Sequence, residues 1–185
     1  MLGGFCCKDK KLKRTCSRYN IVTEKWQHIS PMIFAKENSA ASAINEFQII
    51  VAGGRTDDGN LSDVVEIYDL RENTWKVFQV SLSSPRSLMT IISAQKDRAI
   101  IIGGQDKEGN ELNIVEEIDF LKVQNSIVKL DGMKEPRALP NSFLVNDSIF
   151  VLSRIMSNKI IMKHGNNGQL HGEKYLLKEN KWKDF

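Results

Sequence analysis

A doubled glycine returns every 50 residues along this chain, at Gly3-Gly4, Gly53-Gly54 and Gly103-Gly104. An aromatic pair seven residues apart follows in three places, Tyr19/Trp26, Tyr68/Trp75 and Tyr175/Trp182. A fixed order repeated at such a period implies copies of one small unit stacked side by side. Each copy relies on its neighbours to bury its apolar face, which is not how a single-core enzyme is built.

The second unit is the clearest. Phe47-Gln-Ile-Ile-Val-Ala52 is an apolar run ending in Gly53-Gly54, and the polar loop Arg55-Thr-Asp-Asp-Gly-Asn60 follows. Val64–Tyr68 and Trp75–Val80 then read as strands around the turn Asp69–Asn73. Short β-branched and aromatic runs bounded by Gly, Asn and Asp carry strand-and-turn chemistry. The third unit repeats this order: Arg98–Ile102, Gly103-Gly104, then Gly109-Asn110 fifty residues after Gly59-Asn60. Glu117-Ile118 there reads as the echo of Glu66-Ile67, and Phe120 with Ile127 as a degraded aromatic pair. The fourth unit has Leu152-Ser153 in place of the glycines, yet Glu173–Trp182 matches Glu66–Trp75 at Glu, Tyr, Leu, Glu, Asn and Trp. Pro85-Arg86 and Pro136-Arg137 open the third and fourth units, where the second has Ala35-Lys36.

Double glycines, Tyr-x6-Trp pairs and Pro-Arg dipeptides in this order resemble the kelch repeat over nearly the whole chain. The resemblance implies an all-β fold, a kelch-type β-propeller segment of four-stranded blades. The expected division is an outer half-blade with a basic loop (1–30), two blades (31–80 and 81–130) and a degenerate blade (131–185), about three and a half blades in all. That makes an open arc or part of a larger ring, with blade faces left open to self-association. Blades covered on both sides account for continuous apolar runs such as Ile50-Val51 and Ile100–Ile102. The glycines Gly3, Gly4, Gly53, Gly54, Gly103 and Gly104 are read as making room for neighbouring backbone or a bulky ring. The aromatics are read as fillers between blades, their polar tips hydrogen-bonded.

Charge is uneven. Residues 1–26 carry seven basic side chains against Asp9 and Glu24, a net +5, while the whole chain is +3. The basic residues cluster in the loop after Gly4, which reads as a solvated connection; no nucleic-acid or membrane role is expected. No stretch of 18 apolar residues and no secretory core segment occur,. The only cysteines, Cys6, Cys7 and Cys16, form no disulfide framework, which points to a reducing cytoplasm,.

No catalytic set emerges. His28, His164 and His171 lack metal-ligand spacing, and Cys16, Tyr19 and His28 do not assemble a copper site,. Asp57–Asn60 lacks the alternating ligands of a calcium loop. The double glycines lack the third glycine and following helix of a phosphate cradle. No metal or cofactor is expected. The resemblance implies instead a protein-binding platform; the family includes substrate receptors of ubiquitin ligases and actin-linked scaffolds. Its peptide-capturing positions fall on Arg55 and Gln105 after the glycines and on Arg86 and Arg137 in the dipeptides, with Asn60 and Asn110 in the same loops. Arginine forks suit an acidic peptide, although Arg86 and Arg137 read rather as ties between blades, which leaves Arg55 the better binding candidate. Competing readings are a propeller-class sugar-active enzyme and a truncated repeat segment without independent function.

Overall fold

A computed structural model describes residues 1–94, 97–121, 127–152 and 172–184. The described residues form fifteen strands and no helix. Sheet 1 contains β1 (Leu2–Cys6), β2 (Lys11–Asn20) and β3 (Lys25–Ile29). Sheet 2 contains β4 (Ala40–Ala43), β5 (Gln48–Ala52), β6 (Val65–Asp69) and β7 (Thr74–Val77). Sheet 3 contains β8 (Thr90–Ser93), β9 (Arg98–Ile102), β10 (Val115–Asp119) and β11 (Ile127–Lys129). Sheet 4 contains β12 (Asn141–Val145), β13 (Ser148–Leu152), β14 (Gly172–Leu176) and β15 (Lys181–Asp184). Each sheet is an antiparallel meander in chain order. This is three four-stranded blades and a three-stranded one.

The sheets stack face to face, and the apolar runs show why. Along β5, Ile50 and Ala52 point into the layer shared with sheet 3, while Val51 points into the layer shared with sheet 1. A third layer, built on Ile100, Ile102, Ile149 and Val151, joins sheets 3 and 4. Strands covered on both faces cannot alternate apolar with polar. The first strands of neighbouring sheets approach one another, so β4, β8 and β12 lie nearest the axis; Ser142 and Thr90 hydroxyls hydrogen-bond there at 3.1 Å.

The aromatic pairs keep one geometry, with ring centroids 5.3, 5.1 and 5.0 Å apart in sheets 1, 2 and 4. Their environments differ. Tyr68 and Trp75 are buried between sheets 1 and 2; Tyr68 donates to Asn73 Oδ1, and Trp75 Nε1 donates to the Ser30 carbonyl at 2.8 Å. Trp182 likewise donates to the Asp131 carbonyl at 2.7 Å. Tyr19 and Trp26 do not fill a gap between blades: they lie on the open face of sheet 1.

Sheet 3 corrects the sequence register. Glu116, not Glu117, pairs with Ile101 as Glu66 pairs with Val51. The partner of Ile118 across the hairpin is Ile127, as Trp75 is the partner of Tyr68. Ile118 and Ile127 therefore replace the aromatics, and Phe120 belongs to the turn. The β10–β11 connection is longer than its counterpart in sheet 2. Because strand periodicity is two, the slip from Ile118 to Phe120 still landed on an apolar side chain.

Candidate loop-end binding surface

Each double glycine begins a joint between two sheets. Gly53 and Gly54 have φ of +61° and +98°, a region that side-chain-bearing residues avoid,. The turn they make brings Gly54 N–H to the Arg86 carbonyl at 2.9 Å. A Cβ on Gly53 would lie 2.5 Å from that same oxygen. Gly4 N–H holds the Lys36 carbonyl and Gly104 N–H the Arg137 carbonyl, both at 2.9 Å. The glycines thus make room for a backbone carbonyl, and for the methyl groups of Met32, Met89 and Met133, not for an aromatic ring.

The side chain of each gripped residue completes the joint. Lys36 pairs with Glu66 at 2.7 Å, Arg86 with Glu116, and Arg137 with Glu173 at 2.8 Å. All six side chains are buried. The carboxylates also accept from the loop that arrives from the preceding sheet. Ile33 N–H donates to Glu66 at 2.7 Å, Ser83 N–H to Glu116 at 2.9 Å, and Lys134 and Glu135 N–H to Glu173 at 2.7 and 3.1 Å. A buried carboxylate is tolerable when a cation and backbone donors surround it. Arg86 and Arg137 are therefore corrected from surface candidates to internal ties. The buried glutamates are what these arginines serve, as the reading of ties between blades has it. Glu66, Glu116 and Glu173 went unnoticed as a set. The signal was present, an acid two residues before each of Tyr68, Ile118 and Tyr175.

The remaining candidates come together at the end of the molecule where the glycine loops emerge. Arg55 is exposed and Gln105 half-buried. Each spans its own loop: Arg55 Nη1 donates to the Gly59 carbonyl at 3.1 Å, Gln105 Nε2 to the Gly109 carbonyl at 2.8 Å. Their backbones exchange hydrogen bonds with Glu37 and Ser87, each just ahead of the first strand of the same sheet. Asn60 and Asn110 are exposed and donate to Asp58 and Asp106 at 2.8 and 3.0 Å. Those contacts hold both carboxyls below the usual range, with Thr56 the largest influence on Asp58 and Asn110 on Asp106. The loops are therefore braced before any partner arrives.

In sheet 1 the corresponding segment is a projecting hairpin, with Phe5 paired to Leu12 and Cys6 to Lys11. It displays Lys8, Lys10 and Lys11, all exposed, while Lys13 is bonded to Asp9. The loop end thus grades from basic at sheet 1 to acidic at sheet 3, where Asp106, Glu108 and Glu111 outnumber Lys107. Among the described residues no three His, Cys, Asp or Glu side chains gather as for a metal ion. His164, His171 and Arg154, the fourth unit's counterpart of Arg55, lie outside the described residues.

A kelch-motif family profile matches residues 40–79, which is sheet 2. The chain is 32% identical to Kelch-like protein 40 of Xenopus tropicalis over 111 residues, covering 60% of this chain and 17% of that protein. It is 25% identical to alpha-scruin of Limulus polyphemus, covering 78% and 16%. To a putative F-box/kelch-repeat protein of Arabidopsis thaliana it is 26% identical, covering 68% and 32%. The chain therefore spans less than a third of the length of each of these relatives. Among solved structures, that of YjhT superposes with a TM-score of 0.78 at 15% identity, covering 98% of this chain and 65% of that one, a likeness of fold. With the glycine joint, the aromatic pairs, the motif match and these relatives in agreement, the chain carries a kelch motif at residues 40–79 and is similar to kelch-repeat proteins.

Proposed function

We propose that the chain is a non-enzymatic protein-interaction module of the cytoplasm, each sheet with its incoming loop forming one blade (31–80, 81–130 and 131–185, preceded by 1–30). It binds through the loop end formed by the 5–12 hairpin and the loops 55–60 and 105–110. The observation that carries this reading is the contrast between that braced, polar end and the strands nearest the axis. β4, β8 and β12 read Ala-Ala-Ser-Ala, Thr-Ile-Ile-Ser and Asn-Ser-Phe-Leu-Val, with no acid, base or thiol to do chemistry,. Rigid scaffolds that carry exposed loops commonly bind with them. Three unbridged cysteines fit a reducing compartment,.

The partner is an acidic protein segment engaged at the sheet 1 side of this end. With Arg86 and Arg137 committed internally, the available positive charge is Arg55 and the Lys8, Lys10 and Lys11 cluster. The test is fluorescence anisotropy with two labelled peptides of equal length, one rich in Asp and Glu and one of Ser and Gly. Preferential binding of the acidic peptide, weakened by salt and by Lys8→Glu/Lys10→Glu/Lys11→Glu and Arg55→Ala, is the expected outcome. Equal binding of both peptides, or an Arg55→Ala variant and a triple-lysine variant that bind like the parent, would overturn the acidic-partner reading.

A further inference from the structure

The three internal sheet contacts define what the aromatic side of a sheet is built to meet. In sheets 2 and 4 that side, carrying Tyr68/Trp75 and Tyr175/Trp182, is pressed against the preceding sheet. Each indole there donates to a carbonyl of the connecting loop. In sheet 1 the same side carries Tyr19 and Trp26 in the same tilted arrangement. They are 45% and 65% exposed, and among the described residues the Trp26 indole has no such acceptor. Neighbouring Ile21 and Val22 extend the open apolar surface.

One substitution distinguishes this face from the others. The register that aligns Tyr19 with Tyr68 places Ser17 at the position of Glu66, Glu116 and Glu173. Ser17 does not bind an incoming loop; its hydroxyl is hydrogen-bonded to His28 Nδ1 at 3.1 Å. The face keeps the aromatic stacking surface and lacks the carboxylate that anchors an arginine-bearing connection. A sheet docking here is held by its face alone.

The molecule offers such a face at its other end. The outer side of sheet 4 is the side that, in sheets 2 and 3, the next sheet covers. It shows Phe143 and Val145, 44% and 47% exposed, with Phe143 stacked on Phe150 at 5.7 Å. Lys174 lies over the Phe150 ring at 5.8 Å and opposite Lys183 across the β14–β15 ladder. The outer strands of sheet 4 therefore present ammonium groups on one end face of the stack, and the outer strands of sheet 1 present a phenol and an indole on the other. A lysine over an aromatic face is an attractive pairing, and the sheet 1 face has no lysine or arginine in register with Tyr19 and Trp26 to oppose it.

We propose that the Tyr19/Trp26 face of one copy docks on the Lys174/Lys183 face of a second copy, continuing the internal sheet stack head to tail. This deepens the reading of the chain as an interaction module by naming a second copy as one partner, and it uses a surface separate from the loop end. The contact is heterologous: each copy contributes a different face, so every docked pair leaves one aromatic and one lysine face free.

The experiment is sedimentation velocity on the 185-residue chain across the micromolar range, alone and with two face-blocking variants. Trp26→Ala removes the aromatic face, and Lys174→Glu/Lys183→Glu reverses the other; thermal unfolding verifies that both remain folded. The parent chain is expected to grow in mass with concentration, and each variant alone to remain monomeric. Their equimolar mixture is expected to form a dimer and nothing larger, since each brings one intact face. A parent chain that stays monomeric, variants that associate like the parent, or a mixture that stays monomeric would each overturn the proposal. Acidic-peptide binding measured on the same variants is expected to be unchanged by Trp26→Ala, so failure of the docking contact and failure of the loop-end reading are told apart.

Discussion

Arg86 and Glu116 pair with no solvent exposure on either side chain, and the second Glu116 oxygen accepts the Ser83 backbone N–H at 2.9 Å. The Arg86 carbonyl is meanwhile held by Gly54 of the preceding sheet. Removing one member leaves an unpaired buried charge, which costs about 3–5 kcal/mol, while replacing both by apolar groups is often near neutral. Glu116→Leu and Arg86→Met should each destabilise by that amount. The double variant Arg86→Met/Glu116→Leu should recover much of the loss. Urea unfolding of the four proteins closes the cycle; additive losses in the double variant would contradict the pairing.

Two glycines with similar backbone angles should respond very differently to alanine. Gly54 has φ +98°, and its Cβ would lie 2.7 Å from the Glu37 carbonyl oxygen, with Ser39 also inside contact distance. Gly59 has φ +79°, and its Cβ would meet nothing within 4 Å. Gly59→Ala should cost about 1–2 kcal/mol, the price of a left-handed alanine. Gly54→Ala should cost clearly more, because the strain and the clash add. Chemical denaturation midpoints compare the two directly.

The same Tyr-x6-Trp motif predicts unequal losses in sheets 1 and 2. Trp75 is 9% exposed and hydrogen-bonded to the Ser30 carbonyl; Trp26 is 65% exposed. Trp75→Ala should lower stability by about 3–5 kcal/mol. Trp26→Ala should stay within about 0.5 kcal/mol under conditions where the chain is monomeric. Thermal melts at low protein concentration decide this, and a Trp26 loss equal to that of Trp75 would mean the sheet 1 face is covered within the monomer.

Two groups set opposite limits on the pH range. The Arg71 guanidinium, with backbone N–H donors at Arg71 and Glu72, draws the Asp69 carboxyl down to about 2. A carboxyl depressed on folding contributes stability above its unfolded value near 4 that is lost as pH falls from there through about 2. Arg71→Ala should weaken that acid dependence. Burial pushes the Tyr175 phenol up to about 12. A phenol raised on folding contributes stability that is complete below pH 10 and lost as pH rises toward 12. Tyr175→Phe should flatten the alkaline limb of a stability profile.

The parts of this fold that were legible in the sequence are those that repeat without insertion. Gly53/Gly103 and Tyr68/Tyr175 stand in fixed order because one backbone path recurs, and the strands between them follow from it. Phe120 was read in place of Ile118 as the partner of Ile127 because the hairpin is longer than its counterpart, and a two-residue slip on a strand preserves the face. Glu66 and Glu173 were matched without being read as buried, and Glu116 was passed over for its neighbour Glu117, because an acid on a strand ordinarily marks a solvent-facing position. Only the stacked geometry brings Lys36, Arg86 and Arg137 over them. Of the binding candidates, Arg55, Gln105, Asn60 and Asn110 follow from loop position alone, whereas the fate of Arg86 and Arg137 depended on partners thirty or more residues distant.

Arg86 is fastened at both ends of itself, its main chain to one sheet and its guanidinium to the next. Severing the polypeptide between Val77 and Arg86 does not release a clean subunit, because one product keeps a glycine turn shaped around a missing oxygen and the other keeps a guanidinium already spent. Shortened or shuffled versions of this chain will hold together when the cut moves the whole fastening with one side, and will fray where it passes through the middle.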